Sequence, residues 1–507
     1  MHLATLLEHA AQRYPHTTAI IDASIRYSYK EIDERANAVA FRLMEAGCRS
    51  GERIAICAAN REETASAYFG IQKAGCTAVF LNNRWKAHEI AFALDDSGVR
   101  GVLYDMTSSQ AVKSALKYSG RDLFSMDLPT EVLGGVEYAT IIPPDAPRDP
   151  DSVSTILYTS GTVGLPKGVP RTHNNDYHAA LIMAVEHQWH RFERTLGVMP
   201  LFHTMGLHTL LSMVMLNGAM CLLERLDPKK SFDLIENEKI SALYLVPTAF
   251  YRLVEYYKKS NRSIFFVTKL STAGAPMPED LAAECQSVFQ PETFVNHYGS
   301  TEMHAITVNS NVMKKTGAVG RPLIDNDVRI VSADPDRDVQ PDEVLNYGEI
   351  GEIIADMGTA RAFRGYLNRP EETKRSIRDG WFFTGDLGFR DEEGDLYIVG
   401  RIDDMIISGG ENIYPQEVEE VIGRHPLVQE AAVVGLPDKE WGEVVAAFVV
   451  SKSPGLTEVE LERHCLESPG LARYKRPRRY IFIRELPKSP TGKLLRRTLK
   501  TLILGDL

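Results

Sequence analysis

The stretch Tyr158-Thr159-Ser160-Gly161-Thr162-Val163-Gly164-Leu165-Pro166-Lys167-Gly168 concentrates glycines, hydroxyl side chains and one lysine. Glycines let the backbone take conformations that other residues resist. Successive N–H groups can then turn inward and form an anion-binding concavity. Thr159, Ser160 and Thr162 add hydroxyl donors, and Lys167 adds a mobile positive charge. This equipment suits a phosphate group. It is not the P-loop pattern G-x-x-x-x-G-K-[ST], which is not matched, and a flexible surface loop is the competing reading of the run taken alone. The preceding Ser154-Thr155-Ile156-Leu157-Tyr158 is β-branched and apolar enough to form a strand.

Five further stretches carry groups that can do chemistry. Ala273-Gly274-Ala275-Pro276-Met277-Pro278 is small and rigid, so a flat ring can lie against its backbone; the alternative is a tight strand-to-helix turn. In His297-Tyr298-Gly299-Ser300-Thr301-Glu302, Tyr298 can stack on a base and Thr301 can donate to a phosphate. Glu302 can bind Mg²⁺, which prefers hard oxygen ligands shared with phosphates, or it is a solvated glutamate in a strand-end turn. Asp386, between Gly385 and Gly388, can accept both hydroxyls of a ribose, or it sits in a β-turn. Asp403 and Asp404 have no third acidic ligand nearby, so a hinge is a more economical reading than a metal site. Lys493 follows Thr491-Gly492 and projects from a loop, as a merely solvated lysine also does.

The elements that must position these groups alternate regularly. Ser28-Tyr29-Lys30-Glu31 has the spacing of a capping box, and Ile32, Ala36, Val39 and Leu43 recur on one helical face that Gly47 can end. A strand at Ile54–Ile56, a helix from about Glu62 to Ala74 and a strand at Thr77–Phe80 follow. The alternation returns at Val102–Tyr104 and Leu243–Val246, which implies parallel sheet covered on both faces. Pro143, Pro144, Pro147 and Pro150 stiffen the connection into the glycine-rich stretch. From about Gly348 short β-rich runs, Glu349–Ile354 and Asp395–Val399, indicate a small antiparallel sheet or barrel. Beyond Arg401–Asp404 the pattern is α+β, with helices near Gln416–Ile422 and Glu458–Cys465 and strands at Val428–Val434 and Val444–Val450.

Composition bounds the function. A chain of 507 residues has room for roughly three domain-sized units. Hydrophobic residues make up 44% and charged residues 25%, as in soluble globular proteins. The net charge of −11 argues against general nucleic-acid binding but permits a local basic site. The six cysteines are scattered without a CxxC, against structural zinc or a disulfide framework and in keeping with a reducing compartment. Polar residues interrupt the first nine positions too early for a signal-peptide core. The longest apolar stretch, Met205–Leu223, contains His208, Thr209, Ser212 and Asn217, so a buried helix and strand fit it better than a membrane span. A cytoplasmic location is expected.

Taken together and in order, the six stretches closely resemble the AMP-forming adenylating enzymes: acyl- and aryl-CoA synthetases, peptide-synthetase adenylation domains and firefly luciferase. The resemblance runs from about Leu6 to about Arg497. Met199-Pro200-Leu201-Phe202-His203 and Asp403–Asn412 are most similar to benzoate and chlorobenzoate–CoA ligases. The fold this implies is α/β: a large N-terminal domain over 1–402, with parallel-type sheets covered by helices plus a small β-barrel, then a small mobile α+β domain over 403–507. The implied reaction has two steps, adenylation of a carboxylate by MgATP and transfer of the acyl group to a thiol, usually that of CoA. The resemblance places the β- and γ-phosphates on Thr159, Ser160, Gly161, Thr162, Gly164 and Lys167. It places the α-phosphate on Thr301, Mg²⁺ on Glu302, the adenine beside Tyr298 and Gly274–Ala275, and the ribose on Asp386 with Arg401 beside it. Lys493 bridges the carboxylate and the α-phosphate, and the domains rotate at Asp403 between the steps.

For CoA, the resemblance puts Gly409 along the pantetheine tunnel and Trp441 near the CoA adenine. The cluster Arg473, Lys475, Arg476, Arg478 and Arg479 suits the CoA phosphates, or it is a solvated basic face. His203 stands at the entrance to the acyl pocket, or is a core histidine. Candidate pocket walls are Thr204, Met205, Phe250, Ala273 and Met303, which offer no carboxylate to meet an α-amino group. A compact hydrophobic or aromatic acid is therefore favoured over a long-chain fatty acid, and amino acids are disfavoured. Val163 replaces the usual Thr or Ser of the family and removes one hydroxyl from the phosphate loop. A carrier-protein thiol or an amine as acceptor, or a non-catalytic nucleotide-binding role, are the competing functions; the intact Glu302, Asp386 and Lys493 argue against the last. A small-molecule acid and CoA are the expected partners, and a homodimer stays open.

Overall fold

The computed structural model describes residues 1–134, 141, 146–159, 166–260, 262, 264–333, 337–409, 411–468, 471–488 and 494–504. The chain divides into two compact units. One comprises Met1–Gly317, Pro322–Asn326 and Met357–Ile377; the other comprises Ala318–Arg321, Asp327–Asp356 and Arg378–Leu507.

In the first unit, local sequence signals build the expected alternation. Ser28 caps the helix Tyr29–Glu45, and Glu31 returns a bond to the Ser28 N–H, completing the box. A six-stranded sheet runs in the order Phe124–Asp127, Gly101–Tyr104, Arg53–Cys57, Thr77–Phe80, Val153–Thr159 and Lys167–Thr172. All its neighbours are parallel except the last pair, an antiparallel hairpin. A second sheet carries Thr307–Asn309, Thr293–Tyr298, Lys269–Ala273, Ala242–Leu245, Arg194–Gly197, Ala219–Leu222, Thr18–Asp22 and Ile25–Ser28 in that order, parallel except at its two ends. One large core joins the helices Tyr29–Glu45 and Glu62–Lys73 to both sheets through Val39, Tyr68, Phe69, Phe80, Leu196 and Leu243. The apolar stretch from Met205 becomes the buried helix Thr204–Leu216 and the strand Ala219–Leu222. No helix among the described residues is long and apolar enough to cross a membrane.

The second unit holds an antiparallel sheet of Val328–Val331, Gly351–Asp356, Trp381–Arg390 and Leu396–Arg401. It also holds a sheet of Glu411–Ile413, Ile406–Ser408, Gly442–Ser451, Val428–Asp438 and Arg479–Phe482. Strands Val428–Asp438 and Gly442–Ser451 are buried on both faces: Val433, Val445 and Val449 pack one way, and Val434, Ala446 and Phe448 the other. Such double burial gives near-continuous apolar strands, because successive residues point to opposite faces. By compactness the Val328–Arg401 strands group with the C-terminal helices and sheet, whereas the expected boundary falls after residue 402.

Candidate active site

The hairpin of Val153–Thr159 and Lys167–Thr172 carries the glycine-rich loop at its tip, with Thr159 opposite Lys167. Ser160, Gly161, Thr162, Val163 and Gly164 lie outside the described residues. The stem is anchored by Tyr158, whose hydroxyl donates to Asp96 Oδ2 at 2.9 Å. Burial, then the Asp96 charge, pushes that phenol well above its usual range, so it stays a neutral donor.

The strand Thr293–Tyr298 delivers the second stretch. Tyr298 is half-buried at its end, and Thr301 and Glu302 are buried in the turn that follows. Gly299 has a steric reason: a Cβ built there would overlap the His304 carbonyl oxygen. The Glu302 carboxylate accepts from the Tyr366 hydroxyl at 2.7 Å, and its carbonyl accepts from the Phe363 N–H at 2.9 Å.

Two fully buried arginines clamp the same turn. Arg171 donates to Thr301 O at 2.8 Å, and its Nε donates to Asp176 Oδ1 at 2.6 Å. Arg361 donates to Met303 O at 3.0 Å and also to Ala305 O, and it is paired with Asp325 at 2.7 and 3.0 Å. Burial alone pushes the Asp176 carboxyl up, but the Arg171 charge and the His208 bond outweigh it and hold the group well below the usual carboxylate range. His208 Nε2 lies 3.0 Å from Asp176 Oδ1, and His208 Nδ1 lies 2.9 Å from His304 Nδ1. A second buried pair, His187 and His297, meets through Nε2 atoms 2.8 Å apart. Burial lowers all four imidazoles; His297 is lowered to about 3.

Gly274 is exposed, with Val246 Cγ1 and Met205 Sδ at 3.4 and 3.8 Å from where a Cβ would stand; Ala275 is half-buried. His203 is half-buried and stands at the N-cap position of the helix Thr204–Leu216. Thr204, Met205, Ala273 and Met303 are buried. Phe250 is also fully buried, with Phe289 and Phe294 each 6.3 Å away between ring centres.

In the second unit Asp386 faces Arg401 across paired strands, with Arg401 Nη1 donating to Asp386 Oδ1 at 2.8 Å. Asp403 is exposed in the short turn Ile402–Asp404. Gly409 has φ of 60° and donates its N–H to Trp441 O at 2.9 Å. A Cβ there would sit 2.7 Å from Trp441 Cε3, so the space a side chain would need already belongs to the indole. Arg478 lies 5.6 Å from the Trp441 ring centre. The basic cluster is smaller than its sequence implies: Lys475 is bonded to both Glu417 oxygens at 2.8 Å, and Arg476 reaches Glu462 at 3.4 Å. Arg473 is exposed. Lys493 lies outside the described residues.

Residues 7–367 match the AMP-binding enzyme family, and residues 417–493 match the C-terminal domain of AMP-binding enzymes. The chain belongs to the AMP-binding enzyme family. It is 33% identical to a long-chain-fatty-acid–CoA ligase of Mycobacterium tuberculosis over 98% of both chains. It is 33% identical to a 4-chlorobenzoate–CoA ligase of an Arthrobacter species, over 98% of this chain and 94% of that one. In structure it is similar to the o-succinylbenzoate–CoA synthetase of Bacillus subtilis in complex with ATP and magnesium ion, with a TM-score of 0.87, 33% identity, and 98% and 99% of the two chains covered. The same enzyme with its acyl-adenylate intermediate gives a TM-score of 0.85 at 32% identity, over 98% of this chain and 97% of that one.

For this member of the AMP-binding enzymes, sequence reasoning missed the supporting residues: Arg171, Asp176, His208, His304, Asp325, Arg361 and Tyr366. Only Tyr366 had a local signal, the Gly365-Tyr366 pair just before the Pro370 helix start. Among the described residues no three His, Cys, Asp or Glu gather as a metal cage. A buried Glu302, with one oxygen already bonded by Tyr366, fits Mg²⁺ nonetheless, because that ion takes one or two carboxylates and otherwise phosphate oxygens and water.

Proposed function

We propose that this chain is an ATP-dependent acid–CoA ligase that activates a compact hydrophobic, preferably aromatic, carboxylic acid and passes the acyl group to CoA. The observation that carries it is the clamped turn at Thr301–Glu302, where a hydroxyl and a buried carboxylate are fixed beside the end of the Tyr298 strand. A carboxylate resists acyl transfer because oxide is a poor leaving group. Attack of its oxygen on the α-phosphorus of ATP expels pyrophosphate and leaves an acyl-adenylate. A thiolate then attacks the acyl carbon, and AMP departs.

In this reading Lys167, Thr159 and the loop between them hold the outer phosphates. Thr301 donates to the α-phosphate, Tyr298 and Gly274–Ala275 flank the adenine, and Asp386, oriented by Arg401, accepts from the ribose. Glu302 would hold Mg²⁺, which neutralises phosphate charge when bound. Lys493 steadies the charge that builds between carboxylate and phosphate; losing one such donor typically costs on the order of 10²–10³ in rate. Rotation at the exposed Asp403 turn exchanges the arrangements for the two steps.

The acid preference is supported by the buried apolar Met205 and Ala273 beside Gly274 and by the absence of any carboxylate from Met199 to Leu207. Relatives named for 4-chlorobenzoate, 2-succinylbenzoate and feruloyl groups support it too, although one is named for long-chain fatty acids. We place the enzyme in the cytoplasm, where ATP and CoA are supplied. The test is acid-dependent release of pyrophosphate and AMP across benzoates, cinnamates and fatty acids, with and without CoA. Thioester formation with one compact aromatic acid, only when CoA is present, is expected. Pyrophosphate release that CoA does not accelerate would keep the adenylation and replace CoA with a carrier thiol or an amine.

A further inference from the structure

The segment Phe363–Leu367 ties the glycine-rich hairpin to the Glu302 turn. Its Phe363 N–H donates to Glu302 O, and its Leu367 N–H donates to Gly168 O, both at 2.9 Å. Between these two backbone bonds, Tyr366 repeats the link with its side chain. The hydroxyl donates to Glu302 Oε1 at 2.7 Å, and Lys167 Nζ lies 4.5 Å from the ring centre.

Tyr366 is itself held in place. Its N–H donates to Thr373 Oγ1 at 2.9 Å, and Thr373 donates to Arg369 O at 2.8 Å. Phe363 packs edge-on against its ring at 5.0 Å between centres. A side chain so braced orients what it touches.

We propose that Tyr366 is a positioning residue for nucleotide binding, its hydroxyl aiming the Glu302 carboxylate and its ring parking the Lys167 ammonium. A bond to Oε1 fixes the carboxylate against rotation and leaves Oε2 to meet a cation. An ammonium over an aromatic face is kept in place, yet weakly enough for a phosphate to draw it away. One tyrosine therefore sets both charges that an incoming metal–nucleotide complex must meet. The inference rests on the reading of Glu302 as the cation-binding carboxylate.

The test is ATP binding to the full chain by isothermal titration calorimetry, without acid or CoA, over a series of Mg²⁺ concentrations. The wild type is compared with Tyr366→Phe, Tyr366→Leu, Glu302→Gln and the Tyr366→Phe/Glu302→Gln pair, and thermal unfolding is followed in parallel. Tyr366→Phe is expected to raise the Mg²⁺ concentration at half-effect about tenfold, the lower end for loss of an outer partner of a metal ligand. It keeps the wild-type Tm and the ATP affinity at saturating Mg²⁺, because the ring still faces Lys167. Tyr366→Leu loses affinity several-fold even at saturating Mg²⁺. The pair behaves as Glu302→Gln alone, the result expected when the hydroxyl acts on Mg²⁺ through that carboxylate. A Tyr366→Phe curve that superimposes on the wild type beside a shifted Glu302→Gln curve overturns the proposal and spares the reading of Glu302. Additive losses in the pair overturn it as well. An unshifted Glu302→Gln curve overturns the reading of Glu302 itself, and this inference with it.

Discussion

The bond between Asp176 Oδ1 and His208 Nε2, 3.0 Å long and fully buried at both ends, decides which nitrogen of His304 carries its proton. Asp176 is ionised, so His208 Nε2 must donate to it. Burial keeps His208 neutral, so its Nδ1 is an acceptor. His304 Nδ1, 2.9 Å away, must therefore be the donor. His304 holds a left-handed φ of 65° two residues after Glu302. The chain of bonds thus reaches from the helix His173–Glu186 through the helix Thr204–Leu216 into the turn that carries Thr301 and Glu302.

Asp176→Asn tests that chain through stability. The substitution leaves the Arg171 guanidinium charged in a fully buried site, where its Nε had been bonded to Asp176 at 2.6 Å. Breaking a buried pair on one side costs about 3–5 kcal/mol, and that loss is expected in denaturant unfolding at neutral pH. A loss below about 1 kcal/mol, the worth of an exposed pair, would show that the pair does not hold the turn.

The buried imidazoles predict an acid-side loss of stability. His187, His208, His297 and His304 all have folded pKa values below the ordinary histidine range because burial disfavours the cation. Unfolded histidines titrate near 6.5. The stabilising contribution of each is therefore complete above about pH 6.5 and declines as pH falls towards the folded value, because the unfolded chain binds the extra protons. Below about pH 6.5 unfolding is expected to take up protons at these groups, measured as the slope of unfolding free energy against pH. A flat profile between pH 7.5 and 5 contradicts the neutral, buried assignment.

Gly299→Ala probes the geometry of the turn rather than its charge. The new methyl group must displace the His304 carbonyl oxygen, and with it the backbone that carries Thr301 and Glu302. A misplacement of about 1 Å at a reacting centre can cost on the order of 10²-fold in rate, so acid-dependent pyrophosphate release is expected to fall by about that factor. Gly423→Ala is the control. A Cβ at Gly423 meets nothing within 4 Å, and activity should be unchanged.

What the sequence revealed and what it hid divide along a physical line. Ser28–Glu31 foretold the start of the helix at Tyr29, and Thr77–Phe80 and Val428–Val434 foretold strands, because capping and apolar periodicity are local. The residues that brace the turn were not legible. Arg171 and Arg361 are fully buried, yet an arginine in a sequence reads as exposed unless its partner is known. Asp325 lies 36 positions from Arg361, and His208 lies 32 from Asp176. Such pairings exist only once the fold has brought the elements together.

Gly409 and Trp441 allow two explanations of one glycine to be separated. If the glycine keeps a tunnel open for a thin thiol substrate, Gly409→Ala impairs thioester formation whatever stands at residue 441. If it makes room for the indole, whose Cε3 would be 2.7 Å from the new methyl group, removal of the indole relieves the damage. Gly409 also has a φ of 60°, a left-handed strain that costs an alanine about 1 kcal/mol and that Trp441→Ala cannot relieve. We therefore expect Gly409→Ala to slow thioester formation at least tenfold while pyrophosphate release continues, and Gly409→Ala/Trp441→Ala to recover most of that loss relative to Trp441→Ala alone. Rate measurements on the two half-reactions separate the cases, and a double variant as slow as Gly409→Ala would return the glycine to the tunnel.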